Sequence, residues 1–161
     1  MQDIIEKARP IALAVFDVDG VLTDGGLILG ADGAEFKIFH VRDGQGLVML
    51  RDSGCRVAVI TARNSKVVAE RMNSLGIEHV YQGQNNKGRA LDTLMQKFEI
   101  NPQQTAYVGD DLPDLPAMKR AGLAIAVADA HPAVKAQAHW VTAARGRHGA
   151  AREVCELIME A

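Results

Sequence analysis

Cysteine is scarce in this sequence. Cys55 and Cys155 are the only two among 161 residues, they lie far apart, and each sits among apolar neighbours. Two such residues make no disulfide framework and read as buried free thiols of a reducing cytoplasm. Long apolar runs are lacking too, since none approaches the ~20 residues of a membrane span. The N-terminal segment lacks the basic, apolar, small-residue order of a signal peptide. The expected setting is therefore cytoplasmic, with no membrane partner. Charge of one sign is not in excess: the formal net charge is -2, which gives no electrostatic footing for nucleic acid. Repeats and low-complexity tracts are absent. What remains is ordinary globular material, 48% hydrophobic and 24% charged. A chain of this length reads as a single domain, 1–161, able to bury about 70% of its unfolded surface without staples.

One stretch organises the rest: Ala14-Val15-Phe16-Asp17-Val18-Asp19-Gly20-Val21-Leu22-Thr23-Asp24. The run from Ile11 to Phe16 is short and uncharged, so it reads as a strand buried on both faces. Asp17 stands where that strand ends, which is where open α/β sheets bind ligands. In an extended chain the side chains at 17 and 19 point the same way. Two acids on one side repel unless a cation lies between them or one holds a proton. A hard cation such as Mg2+ suits them, with a substrate phosphate as a further oxygen ligand. Taken alone, an Asp-x-Asp-Gly is equally well a turn.

Further along, Asp32-Gly33 between two β-prone runs predicts a hairpin over about 26–39. Leu27, Ile28 and Leu29 are apolar in succession, so the hairpin is expected to have both faces covered. Two strands are not stable alone, and packing on another subunit is the expectation, folding onto its own domain the plainer alternative. His40 to Gly46 reads as a polar, glycine-rich loop, with a helix from about Gln45 to Ser53. Strands are predicted at Arg56–Ile60, Ile77–Tyr81, Thr105–Gly109 and Leu123–Val127, and a small one at 140–142. Helices are expected between them, opened by Asn64 or Ser65, by Lys87 and by Pro113, and a last one over Ala150–Met159 in a tail of about 143–161. Strands alternating with helices at this spacing argue an α/β fold with a parallel sheet.

Four pieces then fall at equivalent places, each just past a strand or at a helix start: Asp17 with Asp19, Thr61, Lys87, and Asp110 with Asp111 and Asp114. Phosphoryl transfer needs such a set. Asp17 is the candidate nucleophile, forming an aspartyl-phosphate. Asp19 is the candidate proton carrier, first acid and then base. Mg2+ would sit between Asp17 and Asp110. Thr61 offers a hydroxyl, and Lys87 a point charge at a helix N-terminus, where anions are favoured. Asp114 would hold Lys87 or a metal-bound water. Singly, each has a plainer reading: Asp110-Asp111 as helix caps, Asp114 as a first-turn acid, Lys87 as a solvated charge.

In this order the motifs Asp17-Val18-Asp19-Gly20-Val21, Thr61, Lys87 and Gly109-Asp110-Asp111-Leu112-Pro113-Asp114 resemble those of the haloacid dehalogenase superfamily of phosphohydrolases, over residues 11–127. The resemblance implies a Rossmann-like parallel sheet with helices on both faces. It also implies Mg2+ held by Asp17, the backbone carbonyl of Asp19 and Asp110. A narrower resemblance, to the capless subgroup, rests on Asp17 through Gly25, the hairpin, Arg42-Asp43-Gly44, Ile60-Thr61-Ala62-Arg63 and the late Gly146, Gly149, Arg152, Glu153. That subgroup implies a phosphatase of 3-deoxy-D-manno-octulosonate 8-phosphate, an eight-carbon sugar acid phosphate made for lipopolysaccharide. It also implies a homotetramer whose hairpins pack centrally, each neighbouring subunit closing an active site in place of a cap. The sequence agrees independently that there is no cap domain, since the gaps after Asp19 and Thr61 hold no more than a hairpin and a helix. By the same resemblance His40, Val41, Arg42, Asp43, Gly44, Arg63 and Arg71 contact substrate, together with Asp19 and Lys87, and Asp111 and Asp114 support them. Arg is the apt fork-shaped donor for a sugar carboxylate. Relatives acting on nine-carbon acids carry Glu where Arg63 stands, so Arg63 favours the eight-carbon acid. The competing readings are a phosphatase of a nine-carbon sugar acid phosphate, a non-catalytic copy attached to assembly, and a phosphorelay receiver. In a receiver, the paired acids come first and the acceptor Asp on a later strand.

Overall fold

A computed structural model describes residues 1–161. In chain order the elements are α1 (Gln2–Ala8), β1 (Leu13–Phe16), β2 (Ile28–Leu29), β3 (Glu35–Phe36), α2 (Val41–Asp52), β4 (Arg56–Ile60), α3 (Lys66–Ser74), β5 (His79–Tyr81), α4 (Lys87–Phe98), β6 (Thr105–Gly109), α5 (Leu115–Met118), β7 (Leu123–Ala126), α6 (Pro132–Gln137), β8 (Trp140–Val141) and α7 (Ala150–Glu160). Six strands form one parallel sheet in the order β5-β4-β1-β6-β7-β8, and β2 pairs with β3 in a separate antiparallel hairpin. Every residue of β1, β6 and β7 is buried, which is why these strands read as apolar runs without alternation. Helices α2, α7 and α1 pack as one group and α4 with α5 as another. The expected α/β sheet without a cap is the fold observed.

From central β1 the chain steps outward through β4 to β5, then returns to the other side of β1 at β6. The order reverses between β1 and β6, so the crevice at their carboxyl ends is the natural place for a ligand. Asp17 and Asp110 are the residues that follow these two strands.

Helix α2 begins four residues before the expected start. His40 caps it, its Nδ1 accepting from the Arg42 N–H at 3.0 Å, so the predicted loop over His40–Gly46 is the first turns of a helix. The two glycines that suggested a loop serve close approach instead. A Cβ on Gly46 would lie 3.1 Å from the Arg152 backbone of α7, and one on Gly44 would lie 2.4 Å from Arg71 Nη2. Their cost to the helix is about 1 kcal/mol each; against it stands close packing that a side chain at Gly46 would press on and one at Gly44 would enter only by displacing the Arg71 guanidinium. The late glycine motif has a similar cause. A Cβ on Gly146 would meet the Gly20 carbonyl at 1.9 Å, so the loop before α7 lies against this chain's own Asp-x-Asp-Gly turn. Glu153 fastens that loop by accepting from the N–H groups of Ala143 and Ala144.

The hairpin is shorter than expected and its apolar side chains face outward. Leu27, Ile28, Leu29, Phe36 and Ile38 are all large, hydrophobic and exposed. No helix of the chain is long and apolar enough to cross a membrane. Cys55 and Cys155 are free and buried; burial pushes the Cys55 thiol up to about 11 and that of Cys155 higher still, so neither is poised to react.

Candidate active site

The β1 ladder runs one residue past the strand, with the Asp17 N–H donating to the Val108 carbonyl at 3.1 Å. This fixes the Asp17 backbone against β6. Its Oδ1 accepts from the Val18 N–H at 2.7 Å and lies 3.0 Å from Lys87 Nζ. Lys87, at the first position of α4, also meets Asp114 Oδ1 at 2.8 Å. Both of its partners and its own side chain are almost fully buried. The Asp114 carboxylate is saturated: Oδ1 takes Lys87 and the Tyr107 hydroxyl at 2.7 Å, and Oδ2 takes the N–H groups of Asp110 and Asp111. Asp111 caps the following turn through the Leu112 N–H.

Asp110 completes the cluster. Carboxylate oxygens of Asp17, Asp110 and Asp114 lie within 4.8 Å of one another. Asp110 Oδ1 is buried without a hydrogen-bond partner. Gly20 lets this carboxylate in: at φ +93° it carries no Cβ, and one built there would sit 1.8 Å from Asp110 Oδ2. Three carboxylates thus cluster beside one ammonium, which pairs with two of them. Burial and then repulsion from Asp114 hold Asp17 well above the usual carboxylate range and push Asp110 up to about 7. Burial opposes the charge on Lys87, but Asp17 and Asp114 outweigh it and raise its pKa. The excess negative charge and the orphaned Asp110 oxygen suit a divalent cation with oxygen ligands. Because Asp114 has no lone pair to spare, Asp17 and Asp110 are the two side chains free to hold it.

The surrounding cavity of about 290 Å³ is lined by Asp17, Asp19, Thr61, Arg63, Lys87, Asp110, Asp111 and Asp114, among others. Thr61 is buried at the end of β4, held through its backbone by Tyr81 and Gln84. Arg63 stands at the mouth, 46% exposed in its side chain, with Nη2 3.0 Å from Glu35. The other expected substrate contacts do not line this cavity. His40, Asp43, Gly44 and Arg71 border a separate small crevice around Phe39, with the Arg71 guanidinium 5.9 Å from that ring's centroid. Val41 and Arg42 are exposed on the first turn of α2. Asp43 is 2% exposed, and its Oδ1 accepts from the Arg152 N–H at 3.0 Å. It therefore caps α7, whose own N-terminal residue Gly149 has no side chain to do so. Burial raises its pKa despite that cap.

Three polar residues of the site escaped the sequence reading. Tyr107 was seen only as a strand residue, although its hydroxyl holds Asp114. Lys37 Nζ lies 2.6 Å from Asp19 Oδ1 and 3.2 Å from Glu35 Oε1. A signal for Lys37 and Glu35 existed: they alternate with Phe36 and Ile38, and the polar pair turns inward while the apolar pair turns out.

A family model for haloacid dehalogenase-like hydrolases matches residues 74–154. Over 157 residues the chain is 50% identical to the 3-deoxy-D-manno-octulosonate 8-phosphate phosphatase KdsC of Escherichia coli K12, covering 98% of this chain and 84% of that protein. This chain belongs to the haloacid dehalogenase-like hydrolases. Among solved structures of the family, a probable YrbI family phosphatase from Pseudomonas syringae is similar at TM-score 0.97 and 50% identity, covering 99% of this chain and 91% of that one. The corresponding phosphatase of Moraxella catarrhalis, solved with a magnesium ion, a phosphate ion and a KDO molecule, is similar at TM-score 0.97 and 45% identity over 99% of this chain and 92% of that one. Asp17 and Asp19 follow the sheet's first strand in chain order, and Asp110 and Asp111 follow its fourth, after Lys87; this is not the order of a receiver, where the paired acids come first and the acceptor Asp on a later strand.

Proposed function

We propose that this chain is a magnesium-dependent phosphatase that hydrolyses 3-deoxy-D-manno-octulosonate 8-phosphate through an aspartyl-phosphate on Asp17. The observation that carries the reading is the switch-point cluster, in which Asp17 lies beside Lys87 and an unpartnered Asp110 oxygen. The substrate follows from the extent of identity to phosphatases named for it.

Asp17, its carboxylate held in place by the Val18 N–H and Lys87, attacks phosphorus through one oxygen. The P–O bond to the sugar breaks as Asp19 delivers a proton to the departing oxygen. Asp19 then takes a proton from water as that water attacks phosphorus, and the acyl-phosphate bond breaks to restore Asp17. Lys87 and the Thr61 hydroxyl meet the phosphoryl oxygens, and Asp114 and Asp111 hold Lys87 and the Asp110 turn. Mg2+, held by Asp17, Asp110 and the backbone carbonyl of Asp19, supplies neutralising charge at the phosphate. Arg63, at the mouth, receives the sugar carboxylate in place of Glu35.

The enzyme acts in the cytoplasm as a homotetramer. Its outward apolar hairpins, on which Leu27, Ile28, Leu29, Phe36 and Ile38 are exposed together, pack together, and a neighbouring subunit covers the open cavity. His40, Val41, Arg42, Asp43, Gly44 and Arg71 then act on substrate at that covered face. Phosphate release from a panel of sugar phosphates, with and without Mg2+, tests the reading. The eight-carbon acid should be the best substrate and Asp17→Asn inactive. Equal rates across the panel would refute the substrate, and full activity of Asp17→Asn the nucleophile.

A further inference from the structure

The Asp19 carboxylate stands at the open mouth, 23% exposed, whereas those of Asp17 and Asp114 are 7% and 1% exposed. Packing therefore does little to hold its rotamer. One group donates to it: Lys37 Nζ, 2.6 Å from Oδ1. The Lys37 side chain is 0% exposed, and its ammonium is braced a second time by Glu35 Oε1 at 3.2 Å. The same Glu35 oxygen accepts from Arg63 Nη2 at 3.0 Å, and Arg63 Nε is 4.0 Å from Asp19 Oδ2. Asp19 is thus gripped by one oxygen, and the other accepts no hydrogen bond from the chain, Arg63 Nε being 4.0 Å away. A lysine buried this completely on a two-stranded hairpin is costly unless it is fully paired, and here it is paired to the proton carrier.

We propose that Lys37 is a positioning residue for the reaction: it fixes the Asp19 carboxylate from the hairpin, doing for this open site what a covering domain would otherwise do. The inference rests on the reading of Asp19 as proton carrier. A misplacement on the order of 1 Å costs about 100-fold in rate, which sets the scale of the effect.

The test measures turnover of 3-deoxy-D-manno-octulosonate 8-phosphate with saturating Mg2+ by Lys37→Met, Lys37→Arg, Asp19→Asn and the double variant Lys37→Met/Asp19→Asn. Lys37→Met should lower kcat about 10- to 100-fold with KM within about threefold, and Lys37→Arg should restore most of the loss. In the Asp19→Asn background Lys37→Met should change nothing further, because the group it acts through is gone. Losses that multiply in the double variant would overturn the proposal and leave the function intact, as would wild-type kcat in Lys37→Met. Wild-type activity in Asp19→Asn would overturn both this proposal and the role of Asp19. Lys37→Gln, which keeps a donor without the charge, is read by the same criteria should methionine prevent folding.

Discussion

Replacing Asp114 by Asn removes one atom's worth of charge and is expected to cost far more than that suggests. The carboxylate accepts four hydrogen bonds, two on each oxygen, from Lys87, Tyr107 and the N–H groups of Asp110 and Asp111. An amide has one oxygen to accept and a nitrogen that only donates. Whichever way Asn is turned, its NH2 faces two donors, either the ammonium and phenol or the two backbone N–H groups. With Asp114 0% exposed, no water relieves the conflict. Breaking a buried ion pair by removing one partner costs about 3–5 kcal/mol. Losing one of three clustered carboxylates relieves repulsion on Asp17 and Asp110, so a net loss of about 2–3 kcal/mol is expected. For a domain of this size, that corresponds to roughly 4–12 °C in Tm. Adding Tyr107→Phe removes one of four donors now competing for a single oxygen, so it should cost less in the Asp114→Asn background than the about 1–3 kcal/mol expected of Tyr107→Phe alone. Urea unfolding of the three variants gives the comparison. If Asp114→Asn falls within 0.5 kcal/mol of wild type (about the scatter of a surface change), or if Tyr107→Phe costs as much in that background as it does alone, the hydrogen-bond accounting is wrong.

Gly20→Ala puts a methyl 1.8 Å from Asp110 Oδ2 at φ +93°, so it should cost about 1–2 kcal/mol in stability and, by expelling Asp110, on the order of 100-fold in Mg2+-dependent kcat; retention of wild-type turnover would separate Asp110 from the reaction. Saturating Mg2+ at about 100 times its Kd should add about 2.7 kcal/mol, a melting shift of some 5–11 °C that chelation reverses and Asp110→Asn abolishes. His139 Nδ1 accepts from the Ala124 N–H, and burial followed by Lys7 lowers its pKa below 6.5. The unfolded chain then takes up a proton that the folded one refuses, so this contribution is complete above pH 6.5 and declines as pH falls through that value. His139→Gln should flatten that part of the acid limb in a stability–pH series; an unchanged slope would refute it. Leu29→Lys with Phe36→Glu replaces the two most exposed of the hairpin's large side chains, 66% and 58% exposed. Light scattering should then give a single 17.3 kDa chain, and a mass unchanged from wild type would remove the hairpin from the interface.

The sheet was legible because burial on both faces writes itself as uninterrupted apolar runs. Leu13–Phe16, Thr105–Gly109 and Leu123–Ala126 each carry one. Asp17, Thr61 and Asp110 were legible because each follows a buried strand immediately, and Lys87 because it opens a helix. The start of α2 was not, because Gly44 and Gly46 argue locally for a loop and their reason lies in Arg71 and Arg152, 27 and 106 residues further on. Asp43 has the same origin: its partner is the N-terminus of α7, and no local pattern announces a cap supplied from another helix. Tyr107 was hidden by its strand, where an aromatic residue is the expected filler and only the hydroxyl carries the chemistry.

The hairpin shows why an open site needs more than a cover. Its second strand pairs over two residues, Glu35 and Phe36, yet its two faces have opposite tasks. Glu35 and Lys37 reach inward to Asp19 and Arg63, while Phe36 and Ile38 present the apolar surface. Because side chains alternate strictly along a strand, a slip of one residue would exchange the two sets. The ammonium would then leave Asp19 just as the apolar pair left the outer face. A free hairpin this short has little to resist such a slip. In the proposed tetramer, packing of its outer face against other copies would supply the resistance, since only one register would bury Phe36 and Ile38, which are exposed in the single chain. If the proposed tetramer forms, assembly and proton transfer would be coupled through register, because the pairing that buries Phe36 and Ile38 is the one that keeps Lys37 on Asp19.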